Sequence, residues 1–207
     1  MHEATISRPF ASHRYFKKSD LVFSFVFLGL MVLSSNSFIY LPFTPVPMTT
    51  QTFTVLLSSV LLGSRLAFIT QLEFIALGMV GLPVFAGGKS GLAALSGPTG
   101  GYIIGFLAAS YLTGIIIERY GYGHNRTDYK KDLLIFISCS LGLLTIYILG
   151  TAHLFTYFFA AGNTLDPLKS FLNAFDLGVR PFIIIDIIKI FLLVGILKKL
   201  EKMENEG

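Results

Sequence analysis

The apolar residues of this chain come in long blocks without charge. Residues 21–42 and 102–117 contain no Asp, Glu, Lys or Arg. Each block approaches or reaches the roughly 20 residues needed to cross the hydrocarbon of a bilayer. A soluble fold would have to wrap such blocks in a charged exterior, and soluble domains carry about 25% charged residues. This chain carries 14%, against 53% hydrophobic residues, and its mean hydropathy is +0.70. Too little charge is left to cover a watery surface. In hydrocarbon every backbone polar group needs an internal partner, so the expected fold is all-α: an integral membrane bundle of six transmembrane helices.

The predicted spans cover residues 20–40, 49–62, 64–80, 101–118, 132–160 and 179–199. Residues 1–19 form an N-terminal arm, 20–200 the membrane domain and 201–207 a tail. The second and third spans are short. The turn Leu62-Gly63-Ser64-Arg65 joins them into a hairpin that barely crosses. The polar first twenty residues do not read as a cleavable signal peptide.

Lys and Arg orient the bundle, because cytoplasmic loops collect them. Twelve lie at alternate ends of the spans: Arg8, Arg14, Lys17 and Lys18 before the first, Arg65, then Arg119, Arg126, Lys130 and Lys131, and finally Lys198, Lys199 and Lys202. The opposite ends hold only Lys89, Lys169 and Arg180. Both termini are therefore expected in the cytoplasm. The net charge of +4 reflects this bias rather than a basic face, so no nucleic-acid partner is expected. Cys139 is the only cysteine, which excludes an internal disulfide and a cysteine metal cluster.

Three loops then face outward: 41–48, 81–100 and 161–178. The first contains Pro42, Pro45 and Pro47, stiff and short of amide donors. The second is glycine-rich yet apolar, Gly81-Leu82-Pro83-Val84-Phe85-Ala86-Gly87-Gly88 and onward to Gly100. A solvent loop would be polar, so this one is expected to fold back over the bundle, either as plain packing or as a cover for a ligand.

The last span holds the sharpest chemical signal, Asp186 and Lys189 among isoleucines. At i, i+3 both project from one helix face. Each would cost roughly 2.5–3.5 kcal/mol if it faced lipid near the bilayer centre, so both must point into the bundle. Counted from residue 179 they lie about 10 and 15 Å deep at 1.5 Å per residue, within reach of a pocket open to the outside. They either fix helix packing as an ion pair or receive a ligand, Lys189 an anionic group and Asp186 an N–H. Glu73, with Gln71 nearby, is a second intramembrane charge that faces a cavity, makes a packing hydrogen bond or couples to protons. His153 lacks companions at metal-ligand spacing and is read as a hydrogen-bonded bundle residue.

Enzyme motifs are missing. The chain has no phosphate-binding Gly-x-x-x-x-Gly-Lys-Ser/Thr loop, no His-Glu-x-x-His and no Gly-x-Ser-x-Gly. Ser96 has no identifiable base. No internal inverted repeat is evident, which argues against a self-sufficient transporter of that design.

Three blocks carry a family resemblance: Phe43-Thr44-Pro45-Val46-Pro47-Met48-Thr49-Thr50-Gln51-Thr52-Phe53, then Gly81 to Gly88, then Gly97-Pro98-Thr99-Gly100-Gly101-Tyr102-Ile103-Ile104-Gly105-Phe106. With the tail Gly178-Val179-Arg180-Pro181 through Asp186 to Lys189, they resemble the BioY family. These are biotin-binding membrane subunits, the S components of energy-coupling-factor transporters. The resemblance implies six helices around an external biotin pocket capped by loops, in a bacterial cell membrane. It also implies an energising membrane subunit and two ATPase subunits that drive reorientation, although some family members are thought to act without them. A homo-oligomer stays open. Biotin is the transported ligand, and no cofactor is expected.

The resemblance implies a substrate-binding set of Asp186, Lys189, Phe85, Gly87, Gly88, Tyr102 and Tyr147. Biotin's ureido N–H groups would pair with Asp186 and its carboxylate with Lys189. Departures from the family pattern are Ile185 where Gly often stands, a fifth span matching at little beyond Tyr147 and Gly150, and no Trp. S components commonly carry an Ala-x-x-x-Ala docking patch on the first helix. Here that helix offers Gly29 and irregularly spaced Ser24, Ser34 and Ser35. Competing expectations are an S component for another carboxylate-bearing vitamin, an intramembrane enzyme using Ser96 or His153, and a scaffold that binds nothing.

Overall fold

The computed structural model describes residues 18–120, 128–160 and 166–206. Arg8, Arg14, Lys17 and Arg126, four of the twelve clustered basic residues, lie outside the described residues, as do residues 1–17 of the segment read for a signal peptide. Among the described residues the fold is helical: α1 (Lys18–Asn36), α2 (Gln51–Met79), α3 (Gly91–Ser96), α4 (Gly100–Tyr120), α5 (Asp128–Ala160), α6 (Pro167–Gly178) and α7 (Ile183–Glu206), with strands β1 (Phe38–Ile39) and β2 (Met48–Thr49). Three of these helices, α2, α4 and α5, are long and apolar enough to cross a membrane, and α1 carries a shorter apolar stretch, Leu21–Asn36.

The first helix ends at Asn36 rather than at residue 40. Side chains close its last turn: Asn36 Nδ2 donates to the Val32 carbonyl at 2.8 Å and Ser37 Oγ to the Leu33 carbonyl at 3.2 Å. Leu33 is among the carbonyls that a helix ending here leaves without a partner inside the helix. The residues just beyond are taken by a β-ribbon, in which Phe38 pairs with Thr49 and Ile39 with Met48, antiparallel. The proline-rich loop is the tip of that ribbon.

The expected pair of short helices is one helical run broken at Gly63, whose φ of 79° and ψ of 178° leave the helix. A positive φ there is cheap only for glycine. Both ends of α2 meet the same end of α1: Thr50 Oγ1 donates to the Ser34 carbonyl at 3.4 Å, and Ser35 Oγ to the Val84 carbonyl at 2.6 Å. The chain therefore reverses at Gly63, as the Leu62-Gly63-Ser64-Arg65 reading expected. Beyond the turn, Glu118 of α4 caps the returning arm. Its carboxylate accepts from Ser64 N at 2.7 Å and from Ser64 Oγ at 2.8 Å, satisfying an orphan amide and opposing the positive helix end.

Glycines set how closely the other helices pack. A side chain at Gly101 would meet His153 and the Leu149 carbonyl, one at Gly105 the backbone of Ile146, and one at Gly142 Thr113. Such small residues permit close helix contact within a membrane, where packing rather than water expulsion drives association. At the end of the bundle away from the β-ribbon, α5 and α7 are joined by two ion pairs, Lys131–Glu201 and Lys198–Asp132, the latter at 3.2 Å.

Two segments read as loops contain helices. The glycine-rich loop folds back as expected: Val84, Phe85 and Ala94 are buried, and it includes α3. The loop read at 161–178 contains the 12-residue α6 instead. Asp166 caps it, accepting from Leu168 N at 3.0 Å and Lys169 N at 3.4 Å, and Pro167 opens it, a pairing that favours helix initiation. Consequently α7 starts at Ile183, four residues later than expected, after a turn over residues 179–182.

Gly114 lies against the Gly63–Ser64 backbone, where an added Cβ would collide with Ser64 N and Cα. Gly114→Leu should therefore destabilise the protein by about 1–3 kcal/mol through overpacking, read as a lower thermal midpoint in detergent. An unchanged midpoint would show that the hairpin does not depend on this contact.

Candidate functional site

α7 presents its charged residues one turn apart. Asp186 lies in the first turn, where a carboxylate is favoured by the helix dipole. Lys189 Nζ reaches Asp186 Oδ1 at 2.7 Å, with side-chain exposures of 14% and 5%. The pair faces inward, as the cost of lipid exposure requires.

Other elements complete its coordination. From the first turn of α2, Thr52 Oγ1 donates to Asp186 Oδ1 at 2.8 Å and accepts from Lys189 Nζ at 3.1 Å. From α5, Tyr147 OH donates to Asp186 Oδ2 at 2.6 Å. From β2, the Thr49 carbonyl accepts from Lys189 Nζ at 2.7 Å. The three N–H donors of an ammonium are thus all engaged. Asp186 accepts three hydrogen bonds of the roughly four that a carboxylate can take, and the open position is on Oδ2. A new N–H donor fits there directly. A new anion at Lys189 must first displace the Thr49 carbonyl or Thr52.

This cluster forms one wall of a cleft whose empty space, open mouth included, is about 640 Å³. Ile103, Phe106, Ile146, Phe182 and Ile185 make the apolar wall. The rim combines Val46, Pro47 and Met48 of the proline loop with Ala86 and Thr99 of the glycine-rich one. Tyr102 crosses from α4 and donates to the Gly178 carbonyl at the end of α6 at 2.9 Å. Its ring fits because Gly150 and Gly178 have no side chains to meet it. On the far side Thr44 Oγ1 donates to the Leu177 carbonyl at 2.6 Å, so the proline loop and α6 are tied together over the cleft.

Four of the seven sequence-predicted residues, Asp186, Lys189, Tyr102 and Tyr147, converge on the cleft. Phe85, Gly87 and Gly88 are not part of its lining. Phe85 is 2% exposed and packs edge-on to Phe74 with ring centroids 5.5 Å apart. Gly87 and Gly88 have positive φ and form the turn between Phe85 and Lys89, whose backbones pair at 3.0 and 3.2 Å. That turn holds Ala86 at the rim. Thr49, Gln51 and Thr52 are lining residues that the sequence reading passed over. The signal was present: a run of Thr and Gln opening an otherwise apolar helix.

Glu73 lies elsewhere, accepting from Ser24 Oγ of α1 at 3.1 Å, while Ser24 and Thr70 are 2.8 Å apart. His153 Nε2 is 2.9 Å from the Gly97 carbonyl and ties α5 to the segment before α4. Ser96 Oγ donates to the Leu92 carbonyl at 3.0 Å, an intrahelical bond with no base involved. Among the described residues the cleft lining contains no Ser, Cys or His. An apolar wall beside a buried acid–base pair can hold a small amphiphilic molecule.

The sequence model of the BioY family matches residues 8–206. A probable biotin transporter BioY of Pyrococcus horikoshii is 36% identical over 178 residues, 86% of this chain and 94% of the relative. The biotin transporter BioY of Thermotoga maritima is 32% identical over 188 residues, 90% of this chain and 98% of the relative. Among solved structures, the S-component for biotin from an ECF-type ABC transporter superposes with a TM-score of 0.72 at 25% identity, covering 93% of this chain and 95% of that one. With the family match running over nearly its whole length, this chain belongs to the BioY family.

Proposed function

We propose that this protein takes up biotin across a cell membrane as the substrate-binding subunit of an energy-coupling-factor transporter. The observation that carries the reading is the Asp186–Lys189 pair, desolvated and turned into a cleft with an otherwise largely apolar wall. A scaffold needs no such cleft beside its ion pair. Relatives named as biotin transporters over most of their length supply the ligand's identity. The chain is a transport component and works by capture and reorientation, not by chemistry.

In this reading the membrane is crossed six times, by α1, the two arms of α2, α4, α5 and α7. The ends carrying Arg65, Arg119, Lys130, Lys131 and Lys198 face the cytoplasm, as the positive-inside rule requires. The domain limits stay at 20–200 for the membrane body, between the arm and the tail. An energising membrane subunit and ATPase subunits complete the transporter. The cleft opens outward beneath the proline loop and the glycine-rich loop.

Biotin suits the walls. Its fused rings and chain are apolar enough for Phe106, Phe182 and the isoleucines. A ureido N–H can take the open acceptor position on Asp186 Oδ2 beside Tyr147. With its chain folded back toward the ureido ring, the carboxylate reaches the adjacent Lys189 by displacing the Thr49 carbonyl, which links ligand entry to the base of the β-ribbon. Phe85, Gly87 and Gly88 serve the site by shaping the rim around Ala86. A ligand lacking the matching polar atoms would leave buried groups unpaired, which makes such a site discriminating.

Biotin should raise the thermal midpoint of the purified protein, by the equivalent of about 2.7 kcal/mol at 100 times its Kd. Thiamine, riboflavin and lipoate should not. Equal stabilisation by another carboxylate-bearing vitamin would reassign the ligand. Asp186→Asn and Lys189→Met should each abolish high-affinity binding of labelled biotin by protein that still elutes as a folded species, and wild-type affinity in both would refute the site.

Tyr147→Phe tests a finer point, since it deletes one hydrogen bond to a charged group, about 1.5–3 kcal/mol. If Tyr147 orients Asp186 toward the ligand, biotin should bind roughly 10- to 150-fold more weakly. An unchanged Kd in a calorimetric titration would remove Tyr147 from the binding set.

A further inference from the structure

α6 has three distinct faces. Ser170, Ala174 and Gly178 are buried against the bundle. Leu168, Phe171, Leu172 and Phe175 are 66%, 50%, 50% and 45% exposed, although they recur at i, i+3, i+4 and i+7, the spacing of an apolar stripe. Lys169, Asn173 and Asp176 are exposed on the third face. At 3.6 residues per turn the three faces lie roughly 120° apart. A helix lying on a protein in water would show polar residues on both flanks of its buried face. Here one flank is wholly apolar and the other wholly polar.

That pattern is the one expected of a helix lying along a membrane boundary, with one side in lipid, one in water and one on the protein. The neighbouring helices support the assignment. The end of α5 exposes Tyr157 and Phe159, and the start of α7 exposes Ile183, Ile184 and Ile187, so the stripe continues an apolar surface that a membrane protein gives to lipid. Lys169 and Arg180, the latter paired with Asp176 at 3.1 Å, are placed to remain in water or among headgroups.

We infer that α6 is an interfacial helix whose Leu168–Phe171–Leu172–Phe175 stripe sinks into the acyl–headgroup boundary of the leaflet on the cleft side, so that the membrane itself positions one wall of the cleft. The second half of this statement follows from where α6 ends. Gly178 lines the cleft, its carbonyl is held by Tyr102, and the Leu177 carbonyl is held by Thr44 of the proline loop. A lipid contact that fixes the stripe therefore also fixes the segment to which the covering loop is tied.

The chain contains no Trp, so a single introduced one reports its surroundings without background. Leu168→Trp and Phe171→Trp, each in the full chain in phosphatidylcholine nanodiscs, should be quenched several-fold more by lipids brominated near the headgroup end of the acyl chain than Asn173→Trp. Asn173→Trp should instead be quenched by aqueous iodide. Iodide quenching of Leu168→Trp and Phe171→Trp equal to that of Asn173→Trp would place the stripe in water and overturn the proposal. Shielding of both from bromine and iodide alike would show a second copy or another protein covering the face, and would overturn it too.

The link to the cleft rests on the biotin reading and has its own readout. The double variant Phe171→Ser, Leu172→Ser should release labelled biotin several-fold faster than the parent in nanodiscs, with Asn173→Ser unchanged. An unaltered release rate alongside positive bromine quenching would sink the coupling alone. Bromine quenching in a protein that binds no biotin would sink the ligand assignment and leave the interfacial helix standing.

Discussion

A carboxylate and an ammonium held 2.7 Å apart inside an apolar bundle organise the rest of the molecule. Breaking such a pair by removing one partner typically costs 3–5 kcal/mol, because the other charge is left buried and uncompensated. The fold answers that constraint with Thr52 from α2, Tyr147 from α5 and the Thr49 carbonyl from β2. Elements far apart in sequence are thereby brought to one point. The rotation of α7 about its axis is set by the same demand, since any other face would turn both charges into lipid. The site and the packing of the last helix are one arrangement.

The remaining architecture brings those partners within reach. Reversal at Gly63 returns the second arm of α2 along α1, so the start of the first arm, with Thr52, stands at the cleft end of the bundle. Glu118 and Gly114 secure the far end of that hairpin. Close approach of α4 to α5 places Tyr102 and Tyr147 side by side on the cleft wall. Over the top, the proline loop and α6 are fastened to each other and to α4 through Thr44 and Tyr102. The cover is made of backbone carbonyls held by single side-chain hydroxyls, bonds worth about 1 kcal/mol each. At the base, losing either charged partner leaves the other buried and unpaired, a larger loss than any one of those bonds. A strong floor beneath a lightly fastened cover suits a site that must admit and release its ligand.

Much of this was readable in the chain. Composition and charge-free blocks established a membrane protein, the Lys and Arg bias separated its two ends, and Asp186 and Lys189 stood out because their lipid exposure is prohibitive. The family motifs named the fold and the ligand class. Less legible were Thr49 and Thr52, since a threonine near a helix start is ordinary and only the return of α7 gives it a charge to hold. Phe85, Gly87 and Gly88 drew attention as part of a motif, yet they shape the rim of the cleft from outside its lining: one is buried against Phe74, and the others allow the turn. The helix in residues 167–178 was legible too, with Asp166 and Pro167 at its start and Leu168, Phe171, Leu172 and Phe175 at helical spacing. It was passed over because a helix of that length is too short to cross a bilayer and fell in a stretch assigned to a connection.

By itself the sequence determined the solvent this protein lives in, the approximate places of its long helices, and the need for one acid and one base to face inward. Those properties are additive over neighbouring residues, because transfer into hydrocarbon acts on each segment separately. Tertiary structure alone decided which donors meet Asp186, that every N–H of Lys189 is already engaged, and that α6 ends against the cleft at Gly178. These depend on residues more than a hundred positions apart, such as Thr52 and Asp186, meeting within hydrogen-bonding distance. Hydrogen bonding acts over about 3 Å, and no local pattern of residues specifies a meeting at that range.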